Sequence, residues 1–313
     1  MPTLVWLYLT ALLYDPTSGS CVALAETLET VSHDRLMRLL QADWSGQTLL
    51  AVAFRTLFVW ERGSLILDDT VIPKSFATAM DGRAWVFSSQ ERQPVYGFSL
   101  VLLVWTNGTL RIPLGRRLWR KGGPSKSELA LEWLSYARNR LRCRPADVLF
   151  DAWYPSKALL KRIRDYGWYF VCRLKKNRRF NGQPLRRYRR HPYGAETGRL
   201  SGGLKVLMVR HGNKYYATNR LTLPTTEVRR LSRIRSQSEE VIRVCKDQLS
   251  LMGCQARSER AQLHHIACGL VAFGVLERER DERGLSIYKL KRQLSLKGRS
   301  MMLPALERLR SAA

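Results

Sequence analysis

The feature that most constrains this chain is a change of hydrophobic period near Gly63. Before it, apolar residues recur at helical spacing over Val22 to Leu28, over His33 to Leu40 behind Ser32 as N-cap, and over Leu49 to Trp60. After it come short strand-like runs, Ser64 to Asp69, Val95 to Trp105 and, past the hairpin signal Asn107-Gly108, Leu110 to Leu114. The pattern then predicts a helix over Ser127 to Arg140, a strand over Asp147 to Asp151, a helix over Pro155 to Tyr166 and a strand over Trp168 to Arg173. Three consecutive strands fold as an antiparallel meander, whereas alternating helix and strand need crossover connections. The order therefore predicts a mixed sheet flanked by helices.

Charge narrows the partner. The 53 Lys and Arg against 26 Asp and Glu leave a formal +27, far more than solubility requires, which points to a polyanion. No run of eighteen apolar residues exists, so no membrane span is expected, and the opening MPTLVWLYLTALLY reads as a first core helix rather than a leader. Six cysteines without a CxxC pair or zinc-finger spacing suit reduced, buried thiols in a cytoplasmic protein. A charge of this size also suits a packaging protein whose cations only neutralise phosphate, so the placement of the few carboxylates decides.

The element order is that of the ribonuclease H-like fold. Residues 63–313 are expected to form that domain, interrupted at about 174–222 by a β-rich insertion that contains the strand-like pieces Leu204 to Arg210 and Lys214 to Thr218. Helices resume from Glu227, over Glu239 to Leu251 and Ala261 to Leu276. Residues 1–62 suit a small DNA-contacting domain and a helical cap equally, because no recognition helix stands out.

Two carboxylates close predicted strands: Asp69 ends LILDD and Asp151 ends DVLFD. In this order the first and fourth strands are neighbours, so the two can share a divalent cation; alone, each would pass for a turn or cap residue. Neighbours on a strand face opposite sides, which makes Asp68 against Asp69 a question of parity; Asp69 is taken for the site. Arg235, Glu239, Arg243 and Lys246 fall at i, i+4, i+8 and i+11, on one helical stripe. That stripe is either a surface ladder of ion pairs, worth roughly a few tenths of a kcal/mol each, or a metal-binding Glu239 flanked by phosphate-binding cations. Glu240 is expected in solvent. No Ser-His or Cys-His nucleophile pattern, P-loop or GxGxxG is present.

These residues resemble the DDE transposases of bacterial insertion sequences, in particular the IS4-like group, over roughly residues 22 to 277. The resemblance rests on LILDDTVIPK (65 to 74), VLFDAWYPS (148 to 156) followed by YFVCRLKKNRR, YYATNR (215 to 220) and RSQSEEVIRVCKDQLSL (235 to 251). The last is similar to the group's Tyr-x2-Arg-x3-Glu-x6-Lys signature, which Arg235, Glu239 and Lys246 match; Ser232 stands at the Tyr position, and Ser236 and Ser238 replace the usual aromatic and apolar residues.

The resemblance implies a triad of Asp69, Asp151 and Glu239 holding Mg²⁺ in a two-metal site that Mn²⁺ can also fill. It implies hydrolysis at transposon ends, attack of the freed 3′-OH on target DNA, and a synaptic homodimer in a bacterial, nucleoid-associated setting. Phosphate contact is expected from Arg235, Arg243 and Lys246 and from the run Lys175, Lys176, Arg178, Arg179, Arg186, Arg187, Arg189 and Arg190, interleaved with Phe180 and Tyr188. Arg116, Arg117, Arg120 and Lys121 form a further basic segment, and Trp153 and Tyr154, just after the second Asp, are expected in the core, stacking on a displaced base being the other reading. Two other readings stay open: a decayed copy that only binds DNA, and a structure-selective nuclease on the same core.

Overall fold

The computed structural model describes residues 3–15, 19–58, 62–75, 77, 79–188 and 193–312. The expected helix end at Trp60 and the cations Arg189 and Arg190 lie outside them.

Four helices come first: α1 (Thr3–Tyr14), α2 (Cys21–Leu28), α3 (His33–Gln41) and α4 (Gly46–Leu57). The strands β1 (Ser64–Pro73), β2 (Ala84–Ser88), β3 (Gln93–Thr106) and β4 (Arg111–Trp119) follow, then α5 (Lys126–Asn139), β5 (Asp147–Phe150), α6 (Lys157–Asp165) and β6 (Tyr169–Leu174). The insertion supplies the short pair β7 (Arg179–Phe180) and β8 (Gln183–Pro184), then β9 (Tyr193–Arg199), β10 (Lys205–His211) and β11 (Lys214–Thr218). The chain closes with α7 (Thr225–Ile234), α8 (Gln237–Gln248), α9 (Glu259–Arg283), α10 (Ile287–Lys297) and α11 (Pro304–Ser311).

β1 lies between β3, to which it is antiparallel, and β5, to which it is parallel, and β6 continues parallel beyond β5. β4 pairs the far side of β3, so the core order is β4-β3-β1-β5-β6, the expected mixed sheet. The insertion does not form a separate layer. Its strand β11 joins β6 antiparallel, and β10 and β9 follow, extending the same sheet. β2, which the sequence pattern missed, pairs the first part of β3.

Local chemistry explains the joints. Asn107 Oδ1 accepts from the N–H groups of Thr109 and Leu110 at 3.0 and 2.8 Å while Gly108 takes φ +102°, which turns β3 into β4. Ser125 and Glu128 form a reciprocal capping box at the start of α5. At Gly97 a Cβ would run into the carbonyl of Ile72, so β1 and β3 meet there only because that residue is glycine.

The faces of the sheet are separated by strand parity. Arg116 reaches the carbonyl of Leu263 on α9, whereas Arg117 pairs with Glu132 on α5, so α9 and α5 cover opposite faces. α9 is buried along most of its length and forms the central post, against which α1, α3, α4, α8, α10 and α11 pack. The first helices therefore share one continuous hydrophobic core with the sheet domain. Among the described residues, no helix is long and apolar enough to cross a membrane. The six cysteines are free thiols, five of them buried and Cys21 half-buried.

Candidate active site

The site forms where β1 outruns β5. The two strands pair from Ser64 opposite Asp147 to Leu67 opposite Phe150, and Asp68 and Asp151 are the next residue of each chain segment, Asp151 lying just past the end of β5. β1 does not stop at its carboxylates, because its pairing with β3 runs on to Pro73. Asp68 therefore faces α8 and Asp69 faces α5. β1 therefore does not end at Asp69 as the sequence pattern predicts, and Asp69 meets Lys126 of α5.

Asp68 sits in a polar clasp. Its Oδ2 accepts from Ser238 Oγ at 2.5 Å and from an Arg235 guanidinium nitrogen at 3.3 Å, and its Oδ1 accepts from the Asp69 N–H at 3.0 Å. Burial nevertheless pushes its pKa up to about 6, against the pull of Ser238 and Arg235. Asp151 is half-buried, and burial likewise raises its pKa. One of its oxygens accepts from the Trp153 N–H at 2.8 Å, closing a turn just past β5. Glu239 lies in the first turn of α8, 61% exposed, and accepts from the other Arg235 nitrogen at 2.7 Å. Arg235 thus bridges Asp68 and Glu239 with one planar fork.

Asp69 is engaged towards α5, and its carboxylate adds to burial in raising the pKa of Asp151. Lys126 Nζ at the start of α5 lies 2.5 Å from its Oδ2, and the Tyr154 hydroxyl donates to Oδ1 at 3.2 Å. Because Tyr154 comes three residues after Asp151, this bond fixes the loop that carries Asp151. Tyr154 is buried, as expected, but Trp153 is not: it is 64% exposed, with Lys175 Nζ stacked 3.6 Å from its ring centroid.

The stripe on α8 is only partly free for phosphate. Arg243 is exposed, one turn beyond Glu239. Lys246 instead donates to the Val71 carbonyl at 2.9 Å and to Gln90 at 3.3 Å, tying the end of α8 to β1. Glu240, expected in solvent, pairs with Arg111, which also forks onto the fully buried Glu277 of α9. Gln237 adds a second tie, accepting from Thr106 at 2.6 Å and donating to the Gly108 carbonyl at 2.7 Å. These contacts set the rotation of α8 and therefore where Glu239 points.

Of the basic run, Lys175, Lys176 and Arg179 are exposed and Arg178 is half-buried. Of the further basic segment, which starts within β4 and runs past its end, three of four cations are tied up in the fold: Arg116 bonds the Leu263 carbonyl, Arg117 pairs with Glu132 at 2.8 Å and Arg120 with Glu259. Ser238, which looked only like a departure from the family pattern, is the residue the sequence missed; it is buried and clasps Asp68.

All donors here are carboxylate oxygens, the chemistry that hard divalent cations take. Among the described residues no three His, Cys, Asp or Glu side chains converge tightly enough to hold a metal ion. The positive charge between Asp68 and Glu239 is the Arg235 guanidinium.

Comparisons with known proteins agree with this architecture. A piggyBac transposase synaptic complex with hairpin DNA, seen by cryo-EM, is similar over 99% of this chain and 72% of that chain, with 13% identity and a TM-score of 0.57. At that identity the likeness shows the fold, which is ribonuclease H-like. Two Mos1 transposase structures, a strand transfer complex and a paired-end complex with the left transposon end, match over 52% of this chain and 56% of theirs, at 19% and 18% identity. Their TM-score of 0.21 gives them no weight. No curated protein matches the chain. Residues 60–272, more than half of the chain and including every carboxylate of the site, match the family described as transposase DDE domain, and the chain belongs to that family.

Proposed function

We propose that this transposase hydrolyses DNA at the ends of its element and joins the freed 3′-OH to target DNA, with Asp68, Asp151 and Glu239 as its acidic set. What supports this reading is the parallel pairing of β1 with β5, which ends one residue before Asp68 and Asp151, together with Arg235, which links Asp68 to Glu239. The choice of Asp68 over Asp69 rests on the same two observations. Asp69 acts as a positioning residue, holding Tyr154 and with it the turn that presents Asp151.

The three carboxylates would hold Mg²⁺, or Mn²⁺ in its place; such ions make a nucleophile of bound water or hydroxyl and stabilise the leaving oxygen. Burial supports the assignment, since a carboxyl at Asp68 whose charged form is disfavoured gains most from a cation. Arg235 leaves Asp68 and Glu239 for a substrate phosphate, its fork matching phosphate as well as carboxylate. Arg243, Lys175, Lys176 and Arg179 are exposed and would take the phosphates of that strand, with the half-buried Arg178 beside them. Two DNA ends and a target call for two copies of the chain in a synaptic homodimer.

The test is Mg²⁺-dependent cleavage and strand transfer on a plasmid carrying the gene's own flanking DNA, comparing wild type with Asp151→Ala. Activity lost in the variant with DNA binding retained is the expected result. Wild-type protein that binds these ends but neither cuts nor joins them in Mg²⁺ or Mn²⁺ refutes the reading and leaves a DNA-binding protein.

A further inference from the structure

A second concentration of cations lies at the other end of the parallel strands. A cleft of about 1150 Å³ opens between α4 and the segment after α5, and it is lined by Arg55, Arg62, Arg140, Arg142 and Arg144 with no carboxylate among the described residues of its walls. All five are exposed. Arg62 and Arg144 lie just before β1 and β5, whereas Asp68 lies midway along β1 and Asp151 just past the end of β5, so roughly 13 Å of strand, from Ser64 to Asp68, separates the two places at ~3.3 Å per residue.

The cations are held outward by the chain itself. In Arg140-Leu141-Arg142-Cys143-Arg144, Leu141 and Cys143 are 3% exposed and their N–H groups bond the carbonyls of Tyr136 and Ala137. With these two residues anchored inward, the three arginines stand exposed on the open side. Arg142 takes φ +55°, a left-handed conformation that a non-glycine residue adopts at a cost. Arg55 donates to the Arg140 carbonyl at 3.0 Å, tying α4 to this wall. Five guanidinium groups around one cleft repel each other, and low-dielectric walls focus that field outward.

We propose that this cleft binds the phosphate backbone of a second segment of duplex DNA, distinct from the strand presented to the carboxylates. Five cations along an open cleft match several successive phosphates, more charge than a free nucleotide carries. The inference rests on the reading of the chain as a DNA-acting enzyme and adds where a further part of that DNA is held.

The experiment measures binding of the full chain to a short duplex by fluorescence anisotropy, without divalent metal, over a salt series. Three proteins are compared: wild type, Arg140→Ser/Arg142→Ser/Arg144→Ser, and Lys289→Ser/Arg292→Ser/Lys297→Ser, which removes the same charge from exposed positions of α10. The cleft variant is expected to bind at least tenfold more weakly, with a salt slope shallower by about 2 to 3, at ~0.9 for each phosphate that is no longer neutralised. The α10 variant is expected to stay within about threefold of wild type, and Arg140→Lys/Arg142→Lys/Arg144→Lys to recover most of the binding, because backbone contact requires charge rather than a particular side chain. Equal losses in the cleft and α10 variants, or an unchanged slope in the cleft variant, overturn the inference. If wild-type protein cuts DNA in Mg²⁺ under either of those outcomes, the proposed activity stands and only the second binding place is lost. Wild-type protein that does not bind duplex at all overturns both.

Discussion

The contact that holds α8 in place makes a quantitative prediction. Glu277 has no exposed side-chain surface, and its two oxygens accept from the backbone N–H of Arg111 at 2.9 Å, from two nitrogens of the Arg111 guanidinium at 2.8 Å each, and from Arg280 at 3.0 Å. Arg111 is 13% exposed and reaches Glu240 on α8 with its remaining nitrogen. Glu277→Gln keeps the shape and one acceptor but removes the charge opposite a buried cation. Breaking a buried pair from one side costs about 3 to 5 kcal/mol; because Glu240 still faces Arg111, the lower end, about 3 kcal/mol, is expected. Replacing both partners, as Arg111→Met/Glu277→Leu, leaves no uncompensated buried charge on the pair and is expected to change stability by no more than about 1 kcal/mol in either direction. Urea unfolding followed by tryptophan fluorescence at pH 7.5 measures all three proteins. A cost for Glu277→Gln under about 1 kcal/mol, or a double variant at least as destabilised as Glu277→Gln, refutes the reasoning.

Two further outcomes follow from buried groups. His265 on α9 faces the Tyr8 hydroxyl with Nδ1 at 2.8 Å and the Ser250 carbonyl with Nε2 at 2.9 Å, and burial pushes its pKa down to about 4 from an ordinary 6.5. The unfolded chain therefore takes up the proton first as pH falls, so this stabilisation is complete above about 6.5 and is lost towards 4. Asp68, pushed up to about 6, works in the opposite sense, its contribution being lost as pH rises through 6, so the wild-type curve alone mixes the two. The stability gap between wild type and His265→Gln isolates the histidine and is expected to shrink by about 2 kcal/mol between pH 7 and pH 5, as denaturant titrations at both pH values would register. A gap that does not change with pH contradicts the buried neutral imidazole. At Gly115 a Cβ would overlap the Trp133 ring, whose indole nitrogen is committed to the Val101 carbonyl at 3.0 Å; Gly115→Ala is expected to cost about 1 to 3 kcal/mol by overpacking, and an unchanged thermal midpoint argues against it.

The element order was legible because each segment of the ribonuclease H-like core carries its own period, apolar runs for β1, β5 and β6 and helical spacing between them. β2 escaped because it is an edge strand: Trp85 and Phe87 point outward at 71% and 63% exposure, so no buried stripe marks it. The parity of Asp68 and Asp69 was illegible for a related reason. A strand ending at Asp69 and one running to Pro73 look alike until the pairing with β3 is known, and that pairing is a long-range property.

On α8, spacing found Arg235 and Glu239 but could not show that Arg235 stands between Glu239 and Asp68, because Asp68 comes from a strand 167 residues away. Lys246 was found by its spacing as well, yet its partner is the Val71 carbonyl, which no side-chain pattern announces. Composition could not separate the cations of Arg116, Arg117 and Arg120, which bond within the fold, from the arginines at 140, 142 and 144, which line an open cleft.

The central claim is that Asp68, rather than its neighbour, acts with Asp151 and Glu239. The most direct measurement places Asp68→Asn and Asp69→Asn side by side in Mg²⁺-dependent cleavage of the element's ends, with DNA binding measured on the same preparations. Asp68→Asn is expected to bind DNA and not cut it, while Asp69→Asn, which disturbs only the support of the Asp151 loop, keeps activity reduced by about 10- to 100-fold. Cleavage that survives in Asp68→Asn and vanishes in Asp69→Asn contradicts the account.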